Sequence, residues 1–149
     1  MTVHIRSFHL PDDGWADAKA IRQLVFVEEQ ACPPDEEWDA WDATATHLLL
    51  TLNGQSAATA RWRADPEHQG AAKLERFAVV PDARGDGLGT RIVQATIADA
   101  ERAGFSTQTI HAQSHLERFY ERLGFVRTGA AFVEAGIPHV PMTRTSEDT

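Results

Sequence analysis

A chain of 149 residues, 42% of them hydrophobic, can build one globular domain with a real core and is too short for two. Its formal net charge of -8 argues against a nucleic-acid backbone as the main partner and fits an amine-bearing small molecule, or simply solubility. One cysteine, Cys32, excludes an internal disulfide and a cysteine-based metal site.

No apolar run approaches the roughly 20 residues of a membrane span, and "MTVHIRSFHLPDD" lacks the basic-then-apolar order of a signal peptide. The chain is therefore expected to be soluble and cytoplasmic, with no membrane and no nucleic-acid partner. "VHIRSF" alternates as a half-buried strand does. After "PDDG", Trp15, Ala18, Ile21, Leu24, Val25 and Glu28 fall at helical spacing. "ACPPDEEWDAWDATAT" is acidic and carries paired prolines, so it reads as a loop. "HLLLTL", Asn53-Gly54 and "QSAATARWR" form a hairpin signal, and "AKLERFAVV" is a β-rich run stopped by Pro81.

"ARGDGLGTRIVQ" follows, and Ile92, Val93, Thr96, Ile97 and Ala100 mark a helix closed near Gly104. "TQTIHA" is a short strand, "SHLERFYERLGF" a helix stopped by Gly124, and "VRTGAAFVEAGIPHVPMTR" two short strands around "EAGIP". "TSEDT" reads as a frayed tail. The order is β, α, β, β, β, α, β, α, β, β.

The glycine loop suits phosphate, but two common phosphate loops do not fit. A dinucleotide fingerprint would put its first glycine directly after the strand, whereas "PDAR" separates Val80 from Gly85. A Walker loop ends in Gly-Lys-Ser/Thr, whereas this one ends in Gly89-Thr90-Arg91. Arg84-x-x-Gly87-x-Gly89 after "FAVVPDA", with "HLERFYERLGF" one helix and one strand later, resembles the GCN5-related N-acetyltransferase (GNAT) superfamily. The flanking pieces resemble its small bacterial ElaA/YjcF-type branch.

That resemblance implies an α+β fold over residues 1–144, with 145–149 as a tail. A mixed sheet of about six to seven strands would be flanked by helices on both faces and splayed between its two central strands. It implies acetyl-CoA as co-substrate, no metal, and direct acetyl transfer to a primary amine of a small molecule or peptide. A homodimer is compatible with it. The amides of Gly85, Asp86, Gly87, Leu88, Gly89 and Thr90 would converge on the pyrophosphate at the positive end of a helix, with Arg84 adding charge. Backbone groups of Phe77, Ala78 and Val79 would hold the pantetheine arm, and Gln113 stands where many members carry an asparagine facing the coenzyme.

Tyr120 matches the family tyrosine that protonates the leaving thiolate, a task that suits a phenol with an ordinary pKa near 10. An alkylamine, at about 10.4, needs a base. Glu75, two residues before Phe77, is the first choice because alternation puts both on one face. Glu28, Glu29, Glu134 and His139 are the other candidates for the base and for the acceptor pocket. Trp38 and Trp41 in "DEEWDAWD" could stack on the alkyl part of a cationic acceptor, or plug the fold. His111 and His115, four apart, lack the H-E-x-x-H pattern, so a structural or substrate-lining role is expected rather than zinc. The rival from another class is a non-catalytic acyl-CoA-binding domain that keeps the loop without turnover; a longer acyl donor is the third reading.

Overall fold

The computed structural model describes residues 2–146. β1 (Val3–Phe8) leads into α1 (Trp15–Arg22), and the helix continues as a π-helical segment, Gln23–Glu29. The apolar spacing is thus realised as helix, but its second half winds wider: Gln30 donates to the Val25 carbonyl, five residues back. Such widening recurs at functional sites, and here it lies beside the cleft described below. The acidic segment is more structured than a loop, with α2 (Pro34–Glu37) and a 3-10 turn (Ala40–Ala43).

β2 (Thr46–Leu52) and β3 (Gln55–Ala64) are joined through Asn53 and Gly54, whose φ values of 51° and 84° are those a tight hairpin requires. β4 (Ala71–Val79) precedes the glycine loop and α3 (Leu88–Arg102). β5 (Thr107–Gln113), α4 (Glu117–Glu121), β6 (Val126–Arg127), β7 (Phe132–Glu134) and β8 (Ile137–Thr145) complete the order. Ser146 donates its backbone N–H to the Ser106 carbonyl, and the last three residues of the expected tail lie outside the described residues.

One sheet of eight strands runs β1-β2-β3-β4-β5-β8-β6, with β7 also on β8. The strand beyond the expected six to seven is β6, whose two residues are too few to show a period. Neighbours are antiparallel except β4 and β5, which pair in parallel only over Ala71–Lys73 and Thr107–Thr109. Beyond Lys73 the strands part, and this is the expected splay.

Alternation distributes β2 between two cores. Leu48 and Leu50 join Leu88, Ile92, Val93 and Ile97 of α3, while Leu49 joins Ala18, Ile21 and Val25 on the α1 side. Each such large aliphatic side chain contributes roughly 1.5–3 kcal/mol by leaving water. Helices therefore cover both faces of the sheet.

β4 carries a bulge that sequence alternation does not foresee. Arg61 pairs with Glu75 and Thr59 with Ala78, so Ala60 faces both Arg76 and Phe77. Arg76 takes a left-handed φ of 60°, unusual for a side chain with a Cβ. The parity shift overturns the expectation that Glu75 and Phe77 share a face. Glu75 turns to the arginines of β3, while Phe77 packs against the α3-side core and Tyr120.

Candidate active site

Two cavities open on the splay. The outer one, about 800 Å³, is bordered by the π segment (Val25, Glu29, Gln30), by Phe77, Ala78 and Val79, and by the glycine loop with the first turns of α3. Gly85 and Gly87 have φ of 95° and 77°, and a Cβ on either would meet nothing within 4 Å. The glycines are there for backbone conformation, and the space above them is open. Leu88, Gly89 and Thr90 begin α3, so their N–H groups precede the first intrahelical bond, which Arg91 makes to Gly87. A free row of amides at the positive end of a 15-residue helix fits a pyrophosphate. Gly87→Ala should cost only about 1 kcal/mol of stability in urea denaturation, the strain of a left-handed Cβ. It should weaken coenzyme A binding measured by calorimetry by at least about tenfold, because the amides then turn from their common target.

Arg84 also borders this cavity. Its Nε donates to the Val79 carbonyl, and Nη1 and Nη2 each reach a Glu29 oxygen at 2.6 Å. That hydrogen bond holds the Glu29 carboxyl below its ordinary range. Glu29 therefore lies on the outer cavity, against the loop, and not on the inner one. Asp86 and Glu28 are exposed and border neither cavity, whereas His115 borders the outer one.

The inner cavity, about 470 Å³, is enclosed by α2 and its following turn, β3, β4, β5 and the β7–β8 hairpin. Glu75, Trp41, Glu134 and His139 border it, while Trp38 does not. The tryptophans are already engaged: Trp38 lies over Arg22 at 4.7 Å and Trp41 over Arg63 at 4.5 Å. Cys32 is buried on this wall, and burial pushes its thiol up.

Much of the acidic loop is neutralised from within. Arg22 reaches Glu37 at 2.6 Å and Asp42 at 2.7 Å, and Arg61 reaches Asp39, Asp42 and Glu75. Burial pushes Glu75 up, but Arg61 and Arg63 outweigh it and hold the carboxyl below its usual value. An ion-paired carboxylate of this kind is a poor proton acceptor. This arginine network has no local sequence signature, because Arg22, Arg61, Arg63 and Arg76 are scattered along the chain.

Gln30, Phe77, Gln113, Leu116, Tyr120 and Ile137 border both cavities. Tyr120 is 6% exposed and packs edge-on against Phe119 and Phe125, with ring centres 5.0 and 5.9 Å away. Burial alone pushes its phenol up, so it keeps its proton throughout the neutral range. Gln113 donates to Gln30 Oε1 at 3.1 Å, tying β5 to the π segment across this waist. His111, which the sequence reading gives a structural or substrate-lining role, borders the inner cavity and sits 2.9 Å from Glu134. Among the described residues, no group of three or more His, Cys, Asp and Glu is placed to hold a metal ion. Nor is any described helix long and apolar enough to cross a membrane.

A family model described as an acetyltransferase (GNAT) domain matches residues 25–146. YjcF of Bacillus subtilis, described as an uncharacterized N-acetyltransferase, is 33% identical over 129 residues, covering 86% of this chain and 90% of its own. The crystal structure of an acyl-CoA N-acyltransferase from Pseudomonas aeruginosa superposes with a TM-score of 0.87 at 31% identity, over 97% of this chain and 100% of that one. Escherichia coli ElaA superposes with a TM-score of 0.85 at 26% identity, over 96% and 99%. The splayed sheet, the glycine loop and these full-length likenesses converge: the chain belongs to the GNAT family of acetyltransferases.

Proposed function

We propose that the protein transfers an acetyl group from acetyl-CoA directly to a primary amine. The observation that carries this reading is the pair of cavities meeting at Phe77, Gln113 and Tyr120, one floored by free helix amides and the other walled by ionisable side chains. The name of the Pseudomonas aeruginosa neighbour, an acyl-CoA N-acyltransferase, supports the donor class.

Acetyl-CoA would supply an activated acetyl thioester. Gly85, Gly87 and the amides of Leu88, Gly89 and Thr90 bind its pyrophosphate. The backbone of Phe77, Ala78 and Val79, left without a β5 partner by the splay, has groups free to pair with an extended amide-bearing arm. A backbone N–H on this edge is suited to polarise the thioester carbonyl. Tyr120 keeps a proton for the leaving thiolate at the waist.

Calorimetry should show coenzyme A binding, and thiol release should appear with a suitable amine. Absence of binding removes the proposal, and binding without turnover across polyamines, amino acids, aminoglycosides and peptide N-termini leaves the non-catalytic reading. Arg84→Gln should weaken coenzyme A binding about tenfold, the loss of one charge-assisted contact of about 1.4 kcal/mol. The KM for acetyl-pantetheine, which lacks the pyrophosphate, should not change.

A further inference from the structure

We propose that His111, held in place by Glu134, takes the proton from the acceptor, and that the site is therefore built for aliphatic amines, which arrive protonated. This rests on the acetyl-transfer reading above. Its first support is direction. His111 lies two residues before Gln113 on β5 and so shares a sheet face with that waist residue. It borders the inner cavity with Phe77 and Tyr120, and its side chain is 28% exposed.

The second support is the tautomer. His111 Nδ1 lies 2.9 Å from Glu134 Oε1, and a carboxylate only accepts, so Nδ1 carries a hydrogen and, in the neutral ring, the lone pair stands on Nε2. Phe132 on β7, across β8 from β5, meets the imidazole edge-on at 4.9 Å between ring centres and fixes its plane. The carboxyl of Glu134 is held below its ordinary range, first by the His111 hydrogen bond, so it is present as the anion that orients the ring and steadies the imidazolium.

The third support is the position of the rivals. Glu75 is ion-paired to Arg61 and Arg63. His139 donates Nδ1 to the Ile137 carbonyl at 2.7 Å, and its side chain is 9% exposed, with Nε2 4.0 Å from Glu134 Oε2. Tyr120 keeps its proton and serves as the acid. Lys73, facing the same cavity from β4, is turned to Glu75, with Nζ 3.9 Å from Oε1.

The step balances as follows. His111 Nε2 takes one proton from the alkylammonium and passes it to solvent, which frees the nitrogen lone pair. That pair forms the C–N bond to the acetyl carbon, and the C–S bond breaks with its electrons on sulfur. Tyr120 Oη protonates the thiolate, and the surplus proton on the new amide nitrogen returns through solvent to Tyr120. Ammonium and thioester become amide, thiol and one released proton. Glu134 acts through His111 and is a positioning residue.

The test has two arms. Long-range proton–nitrogen NMR of the histidine rings should find neutral His111 as the Nδ1–H form, and Glu134→Ala should raise the Nε2–H population. This reading needs no turnover. Kinetically, the wild type should prefer alkylamines over arylamines. His111→Ala should lose about 10²-fold in kcat with an alkylamine, the usual scale of a removed general base, with coenzyme A affinity unchanged. Added imidazole should restore part of that loss. An Nε2–H ring in the wild type, a preference for arylamines, a kcat loss under about threefold, or no rescue by imidazole would overturn the assignment. Failure of the wild type to bind coenzyme A would instead remove the reading on which it rests.

Discussion

Arg22→Met is expected to lower the free energy of unfolding by about 3–5 kcal/mol at pH 7.5, read from urea denaturation with the slope checked for two-state behaviour. Arg22 is 1% exposed, and the carboxylates it meets, on Glu37 and Asp42, are 3% and 10% exposed. Methionine fills much of the volume between Trp15 and Trp38 but removes the charge, leaving two buried carboxylates short of a partner. Asp42 keeps Arg61 at 2.8 Å and Glu37 keeps Arg76 at 3.0 Å, so the lower end of the range is the better expectation. Neutralising the carboxylates as well, with Glu37→Gln and Asp42→Asn in the Arg22→Met background, should recover part of the loss.

The pH dependence has a definite sign. Burial opposes ionisation of Asp39, Asp42 and Glu75, but their arginines win and hold all three carboxyls below ordinary values of 3.8, 3.8 and 4.5. Their contribution is fully present above those values and is lost as pH falls below them and through the lower values of the folded state. Burial holds His47 below its ordinary 6.5, so the wild type should begin to lose stability below that point, before the carboxylates titrate. Burial raises Glu37 against the pull of Arg22 and Arg76, so its contribution runs the other way, present at low pH and lost as pH rises. The Arg22→Met penalty should therefore shrink toward pH 4, where protonated carboxyls no longer need a cation. A penalty independent of pH would point to packing rather than charge.

What the sequence discloses follows the range of the interaction. Asn53-Gly54 and the Gly85-to-Gly89 spacing are local demands on φ, and the structure meets both with left-handed residues. The loop of the outer cavity was legible for that reason. The bulge at Arg76 was not, because its left-handed residue carries an ordinary side chain and the shift shows only against β3. Nor was the π segment, since its apolar residues keep helical spacing while its hydrogen bonds widen. "DEEWDAWD" left a surface for cations and a plug for the fold equally open because its three arginine ion-pair partners come from α1, β3 and β4. The inner cavity depends on such long-range pairings, and so does the place of Glu29, which its contact with Arg84, 55 residues on, draws to the outer cavity.

Tyr120→Phe is expected to lower kcat by about 10²–10⁴-fold while leaving coenzyme A affinity unchanged. The substitution keeps the ring and hence its contacts with Phe77, Phe119 and Phe125, so unfolding should shift by less than about 1 kcal/mol. Only the proton at the waist is lost. Burial pushes the phenol above its ordinary 10.0, so the wild-type residue stays protonated across the neutral range and the basic limb of its rate profile should not come from Tyr120 below that value. If the hydroxyl protonates the departing sulfur, the loss must depend on how much that sulfur needs a proton. An acetyl thioester of an acidic aryl thiol expels its leaving group without help, and with that donor the variant should approach wild-type turnover. Equal losses for both donors would make Tyr120 a packing residue at the junction of the two cavities, and the proton for coenzyme A would then have to come from water entering the cleft.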